Sequence, residues 1–326
     1  MMQNDTFRTP VLVEEFDKKI DYSSNIFSIG SCFSENIGNK LSDYRFQITT
    51  NPYGTLYNPI SIFDNLSTSI KGKIIDDHKI VEVENVFRHF DFHSDISAHS
   101  LEELKSKINS THNTVKKILD TTQFLFITLG TSFVFERSSD NEIVANCHKV
   151  PAKEFRQRLL TIDEIQQSFQ KLYALLPKST TIIFTVSPIR HFRNGLVDNS
   201  LSKSLLRYAC HLFEEEHNNV HYFPSYEIMM DDLRDYRYYA EDMVHPSKLA
   251  IKYIWEQFKN SLIEENCYPL MRDWEKIIQG VNHRPFNPKT EAHQKFLRKL
   301  KTKALQIKKF KTEDIISIID EQIIKQ

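Results

Sequence analysis

Five short apolar runs recur along the chain, each ending in small or turn-forming residues. Residues 25–29 (NIFSI) lead into Gly30-Ser31, residues 123–129 (QFLFITL) into Gly130-Thr131-Ser132, residues 180–186 (TTIIFTV) into Ser187-Pro188, and residues 220–223 (VHYF) into Pro224-Ser225. A weaker fifth run, residues 45–49, leads to Asn51-Pro52-Tyr53-Gly54. None alternates strictly between apolar and polar positions, which is the pattern of strands covered on both faces of a parallel sheet. Segments with helical spacing lie between them, at residues 34–41, 101–119, 162–176, 201–217 and 248–263. The alternation predicts a three-layer α/β/α domain with a parallel sheet of about five strands, spanning residues 1–280. In such sheets ligands sit outside the carboxyl ends of the strands, so the residues just after each run are where chemistry is to be sought.

From Val281 onward the pattern changes. The prolines of His283-Arg284-Pro285-Phe286-Asn287-Pro288 preclude regular structure. A Lys-rich amphipathic stretch follows, ending in Ile315, Ile316, Ile318, Ile319, Ile323 and Ile324. Residues 281–326 are therefore expected to form a C-terminal helical extension, packed on the main body or on a second subunit in a homodimer. The 326-residue chain is 40% hydrophobic and 26% charged with a formal net charge of −1, a balance that gives no reason to expect nucleic acid as a partner, so the lysines read as a solvated helix face. Cys32, Cys147, Cys210 and Cys267 form no disulfide or zinc spacing. With no signal-peptide pattern at the start and no apolar run long enough to span a bilayer, a cytoplasmic location is expected.

Ser31 follows Gly30 at the end of the first strand and the start of a helix. A strand-to-helix turn of this kind lifts a side chain into the cleft and aims free backbone N–H groups at it, although the second glycine of a G-x-S-x-G elbow is missing. The alternative for Ser31 is a plain N-cap of the helix. Asp242 and His245 form a D-x-x-H element after the last strand, with Pro246 holding His245 out of helical conformation. That spacing lets the carboxylate fold back on Nδ1 while Nε2 faces a nucleophile.

The run Phe27-Ser28-Ile29-Gly30-Ser31-Cys32-Phe33-Ser34 resembles the signature of the GSCFA family, with Ser34 where the family has Ala. Asn51-Pro52-Tyr53-Gly54, Tyr57-Asn58-Pro59, Thr128-Leu129-Gly130-Thr131, Asn146-Cys147-His148-Lys149, Ser187-Pro188-Ile189-Arg190-His191 and Asp242-Met243-Val244-His245-Pro246 extend the resemblance in order. The family is considered a branch of the GDSL/SGNH hydrolases, so the resemblance implies a flavodoxin-like fold, Ser31 as nucleophile, His245 as general base and Asp242 as its orienting partner. It also implies an oxyanion hole from Ser31 and Gly54. The third donor departs from the pattern: Thr131-Ser132 stands where G-x-N is expected, leaving Thr131 to donate its hydroxyl, or Asn58 or Asn146 to supply the amide.

Other residues after the strands are candidates for substrate binding. Asn58, Asn146 and His148 could line the cleft, and Arg190 and His191 could grip a carboxylate or phosphate. The adjacent Cys147 and His148 also read as a nucleophile pair, but neighbours in sequence aim poorly at each other. The Tyr-, Asp- and Arg-rich residues 222–239 are expected to brace Asp242 and His245 and not to bind metal. The function expected is hydrolysis of a small-molecule or carbohydrate ester through an acyl-enzyme, without metal or organic cofactor. An O-acyltransferase sharing the same triad, or a degenerate SGNH domain that binds a glycan or a protein, are the alternatives.

Overall fold

The computed structural model describes residues 9–72 and 75–324. The central sheet consists of β1 (Asn25–Gly30), β2 (Gln47–Thr50), β3 (Phe124–Leu129), β4 (Thr181–Val186) and β5 (Val220–Tyr222). Their order across the sheet is β5-β4-β3-β1-β2, and every pairing is parallel. This is the flavodoxin-like order, whose switch point lies between β1 and β3.

The absence of strict alternation has a direct cause. Side chains of β1, β3 and β4 alternate between two apolar layers, so both sets are buried. Phe27, Ile29, Leu125, Ile127, Ile182 and Phe184 face one layer. On that side pack α2 (Pro59–Lys71), α3 (Leu101–Leu119), α4 (Ile162–Tyr173) and α5 (Leu196–Glu216). Ile26, Phe124, Phe126 and Ile183 face the other, covered by α1 (Cys32–Asp43) and α6 (Lys248–Leu262).

Three features go beyond the sequence reading. Helix α2 was not foreseen: Asn58 caps it by accepting from the Ser61 amide at 2.8 Å, and Pro59 occupies its first position. Two three-stranded antiparallel sheets are inserted between parallel strands. One comprises Ile80–Val83, Val86–His89 and Ser97–Ala98; the other comprises Phe133–Arg137, Ile143–Val144 and Phe155–Leu159.

Helices α7 (Tyr268–Asn282), α8 (Glu291–Gln306) and α9 (Glu313–Gln322) follow the sheet domain. Trp274, Ile277 and Val281 of α7 pack with Leu297, Leu300, Ala304, Ile315 and Ile319 in a third apolar cluster. That cluster therefore begins on α7, ahead of the composition change at Val281. The cluster docks on the C-terminal end of α1, where the Trp274 indole donates to the Asp43 carbonyl at 2.8 Å and Arg45 pairs with Asp314 at 2.6 Å. Ile315 and Ile319 are thus buried against their own chain. No helix among the described residues is long and apolar enough to cross a membrane.

Candidate active site

The first wall of the site is the turn that ends β1. Gly30 adopts φ 137°, and a Cβ there would lie 2.1 Å from the Thr128 carbonyl oxygen of β3, so only glycine fits. Ser31 is the N-cap of α1, and its hydroxyl accepts from the Phe33 amide at 3.3 Å. Cys32 is the first helical residue. The segment after β2 is lashed over this turn: Asn51 Oδ1 accepts from the Gly30 amide at 2.9 Å, the Leu56 amide donates to the Gly30 carbonyl at 3.0 Å, and Glu35 accepts from Asn51 and Thr55.

The second wall is the loop before α6. Asp242 Oδ1 accepts from the amides of Val244 and His245 at 2.9 and 3.0 Å, and its Oδ2 meets His245 Nδ1 at 2.6 Å. The backbone amides, then the imidazole, hold the Asp242 carboxyl down at about 2. A carboxylate at Nδ1 makes that nitrogen the protonated one and leaves the Nε2 lone pair facing the cleft. The loop itself is braced by Ala240 N–H to the His245 carbonyl at 2.7 Å and Ser247 N–H to the Tyr238 carbonyl at 2.7 Å.

His245 Nε2 points at the sulfur of Cys32, 3.7 Å away. Burial pushes the Cys32 thiol up, so its resting form is the neutral thiol; the Cys32 and Phe33 amides and the Lys203 ammonium pull the other way. Ser31 is placed differently from its neighbour. The residue is 1% exposed, and its amide donates to the Thr128 carbonyl at 3.1 Å. Its hydroxyl performs the N-cap role that the sequence offered as its alternative.

Each residue of the expected oxyanion set, and each of its stand-ins, has hydrogen-bond partners of its own. The Ser31 amide continues the β1–β3 ladder, and the Gly54 amide closes a turn onto the Asn51 carbonyl at 2.8 Å. The Thr131 hydroxyl accepts from the Phe133 amide at 3.0 Å and meets Ser202 Oγ at 3.2 Å. Asn58 is occupied in capping α2, with Nδ2 on Ser61 Oγ at 2.9 Å. Asn146 accepts from the His148 amide at 2.9 Å and donates to Ser94 Oγ at 3.3 Å. In the first turn of α1 the Phe33 and Ser34 amides are bonded to Ser31, and the amides of Cys32 and Phe33 lie against the Cys32 sulfur.

The remaining candidates divide by position. His191 borders a cavity of about 450 Å³ with Tyr57, Thr131, Phe133, Cys147 and Arg193. His148, also on that wall, is buried, bonded through Nε2 to the His89 carbonyl at 2.8 Å, and lowered by burial to about 4. Arg190 is not aimed at the cavity. Its guanidinium lies over the rings of Tyr236 and Tyr239, and its amide bonds the Val244 carbonyl at 3.1 Å, so it splints the Asp242–His245 loop. Among the described residues no three His, Cys, Asp or Glu side chains cluster as metal ligands.

Two residues were missed. Cys32 entered the sequence reading only through the cysteine spacing and as part of a motif, yet the residue after an N-cap is the first helical position, which projects into the cleft. Lys203 on α5 is 2% exposed, and its ammonium donates to the Gly130 carbonyl at 2.7 Å and the Ser187 carbonyl at 2.8 Å, bridging the ends of β3 and β4. Burial brings it down to about 7. No sequence signal separates it from the many surface lysines.

A search of curated proteins finds no match to the chain. The model of the GSCFA family matches residues 25–258, from the first residue of β1 into α6, and so takes in the Ser31-Cys32 turn, the strap over it and the Asp242–His245 loop. A second model, the C-terminal domain of GSCFA domain proteins, matches residues 274–325, beginning at the tryptophan that docks the third cluster. With most of its length covered by these two matches in succession, the chain belongs to the GSCFA family.

Proposed function

We propose that the chain is an SGNH-type acyl-transferring enzyme, an ester hydrolase that works through an acyl-enzyme. A nucleophile on the Ser31-Cys32 turn attacks the acyl carbonyl, His245 takes its proton, and Asp242 holds the imidazole in the required tautomer. The observation that carries this reading is the 2.6 Å contact of Asp242 with His245 Nδ1, which leaves Nε2 directed at the N-terminus of α1. The Cys32 amide at that helix terminus is suited to the negative charge of a tetrahedral intermediate. The leaving alcohol takes the proton from His245, and water resolves the acyl-enzyme.

The adjoining cavity, about 450 Å³ with Tyr57, Phe133 and Phe135 among its lining, has room for a small acyl ester or a sugar ring, and Arg193 adds a positive charge at its rim. Transfer to a sugar hydroxyl in place of water uses the same groups. An activated-ester series of increasing acyl length, run with and without sugar acceptors, tests both. Turnover that disappears in His245→Ala supports the reading, and acylated sugar in the products selects transfer. A native protein inert to every ester and to fluorophosphonate would leave the degenerate, ligand-binding domain as the better account.

A further inference from the structure

We infer that the nucleophile is the thiol of Cys32 and not the hydroxyl of Ser31, so that the acyl-enzyme is a thioester. The inference rests on the acyl-transfer reading above and names its reacting atom. Three observations separate the two neighbouring side chains. His245 Nε2, the open nitrogen of a ring fixed by Asp242, lies 3.7 Å from Cys32 Sγ. That distance is a long S–H···N hydrogen bond, of the kind that tightens when substrate closes the site. Ser31 is 1% exposed, whereas Cys32 is half-buried and open to the cleft. A carbonyl carbon must approach its nucleophile to about 3 Å along an open line, which the Ser31 hydroxyl lacks. The Ser31 oxygen already accepts from the Phe33 amide, and using it as nucleophile would uncap the helix that supports the site.

Burial and the Glu35 carboxylate hold the thiol neutral, while three neighbouring groups pull toward the anion as charge develops. The amides of Cys32 and Phe33 lie against it, and the buried Lys203 ammonium, fixed on the carbonyls of Gly130 and Ser187, adds a positive charge from the sheet side. Burial keeps the resting thiol neutral, so the proton leaves during attack. In the first step the Cys32 S–H proton passes to His245 Nε2 as the S–C bond forms. The tetrahedral intermediate then collapses, the ester C–O bond breaks, and the departing alkoxide takes the proton back from Nε2. In the second step water, or an acceptor hydroxyl, loses its proton to Nε2 while attacking the thioester carbonyl. The C–S bond breaks and His245 returns the proton to sulfur.

The test is intact-mass and peptide-mapping spectrometry of the protein quenched during turnover of an activated acetyl ester, with Cys32→Ala, Cys32→Ser, Ser31→Ala and Ser31→Asn alongside. Ser31→Asn keeps a capping acceptor without a hydroxyl nucleophile, which separates loss of a cap from loss of a nucleophile. Thermal unfolding reports whether each variant is folded. The expected result is one acetyl group on Cys32, released by neutral hydroxylamine as thioesters are. Turnover should fall by about 10³-fold or more in folded Cys32→Ala and stay near native in Ser31→Asn. An acetyl group mapped to Ser31, or native turnover in Cys32→Ala, overturns the assignment while leaving acyl transfer through His245 in place. A native protein that neither acylates nor turns over any ester removes both.

Discussion

Asp242 and His245 are joined twice within four residues. One carboxylate oxygen accepts from the His245 backbone amide at 3.0 Å, the other from its ring at 2.6 Å, and Val244 adds a third bond at 2.9 Å. Both side chains are 48% exposed, so this arrangement is built by the loop and not by packing. Asp242→Asn retains the loop, because an amide oxygen can accept from the same backbone groups. It presents N–H to Nδ1, however, and so forces the proton onto Nε2, where it faces Cys32. We expect turnover of an activated ester to fall by about 10³–10⁴-fold with little change in melting temperature. A comparable loss of stability and activity would mean that the pair is structural.

The sheet and this dyad were legible in the sequence because each leaves a local signature. Strands buried on both faces read as short apolar runs, and the observed β3 and β4 differ from the expected runs by one residue at the start. An Asp three residues before a His-Pro also reads directly. Helix α2 was hidden because Asn58-Pro59 was taken as a motif and not as a cap. The distinction between Ser31 and Cys32 was hidden for a different reason: it depends on which of two adjacent bonds points at a ring 213 positions away. Lys203 could not be found at all, since its burial is set by where α5 crosses the ends of β3 and β4.

Gly30 is the tightest point of the site. Its φ of 137° and the 2.1 Å approach to the Thr128 carbonyl leave no room for a Cβ, and the obstacle is backbone, which cannot rotate aside. Gly30→Ala is expected to destabilise the protein by at least about 3 kcal/mol in denaturant unfolding. Gly72→Ala provides the control. It shares a positive φ, 61°, but meets nothing within 4 Å, so its cost should be about 1 kcal/mol.

The docking of the C-terminal helices turns on Trp274. Its indole bonds the Asp43 carbonyl, carries the Arg45 guanidinium over its face at 4.8 Å, and belongs to the third apolar cluster. Trp274→Ala should cost about 3–5 kcal/mol. Because the lost contacts join α7 to α1, limited proteolysis should then cut in the proline-containing segment at residues 283–290 sooner than in the native chain. Unchanged proteolysis would place the anchor elsewhere.

Two buried histidines set an acid limit on stability. Burial lowers His112 and His148 from the ordinary 6.5 to about 4. Between those values the unfolded chain binds protons that the folded chain does not. The stability each contributes is therefore complete above about pH 6.5 and falls as the pH drops toward 4, by up to about 1.4 kcal/mol per pH unit for each histidine. Urea unfolding from pH 7 to 4.5 should show a shallower decline in His148→Asn, a substitution that tolerates the left-handed backbone at φ 49°, and shallower again with His112→Gln added. A decline of native steepness in the double variant would assign the acid limit to other groups.

Lys203 has a pH signature of the same sign in a more alkaline window, and a functional consequence. Burial lowers its ammonium from 10.5 to about 7, so between those values the unfolded chain carries a proton that the folded chain has lost. Native stability should accordingly gain up to about 1.4 kcal/mol per unit from this residue as the pH rises from 7. Above about pH 9 the buried thiols and phenols, whose folded forms resist ionisation, pull stability down again. The difference between native protein and Lys203→Met isolates the lysine, and it should widen in favour of the native protein from pH 7 to 9, whereas Lys203→Arg, charged throughout, should show no such gain. At pH 7 the variant also leaves the Gly130 and Ser187 carbonyls without their donor, at a cost of about 1–3 kcal/mol each. With the positive charge gone from beside Cys32, alkylation of that thiol by iodoacetamide should slow across the neutral range. An alkylation rate that is unchanged in folded Lys203→Met would confine the lysine to holding the strand ends together.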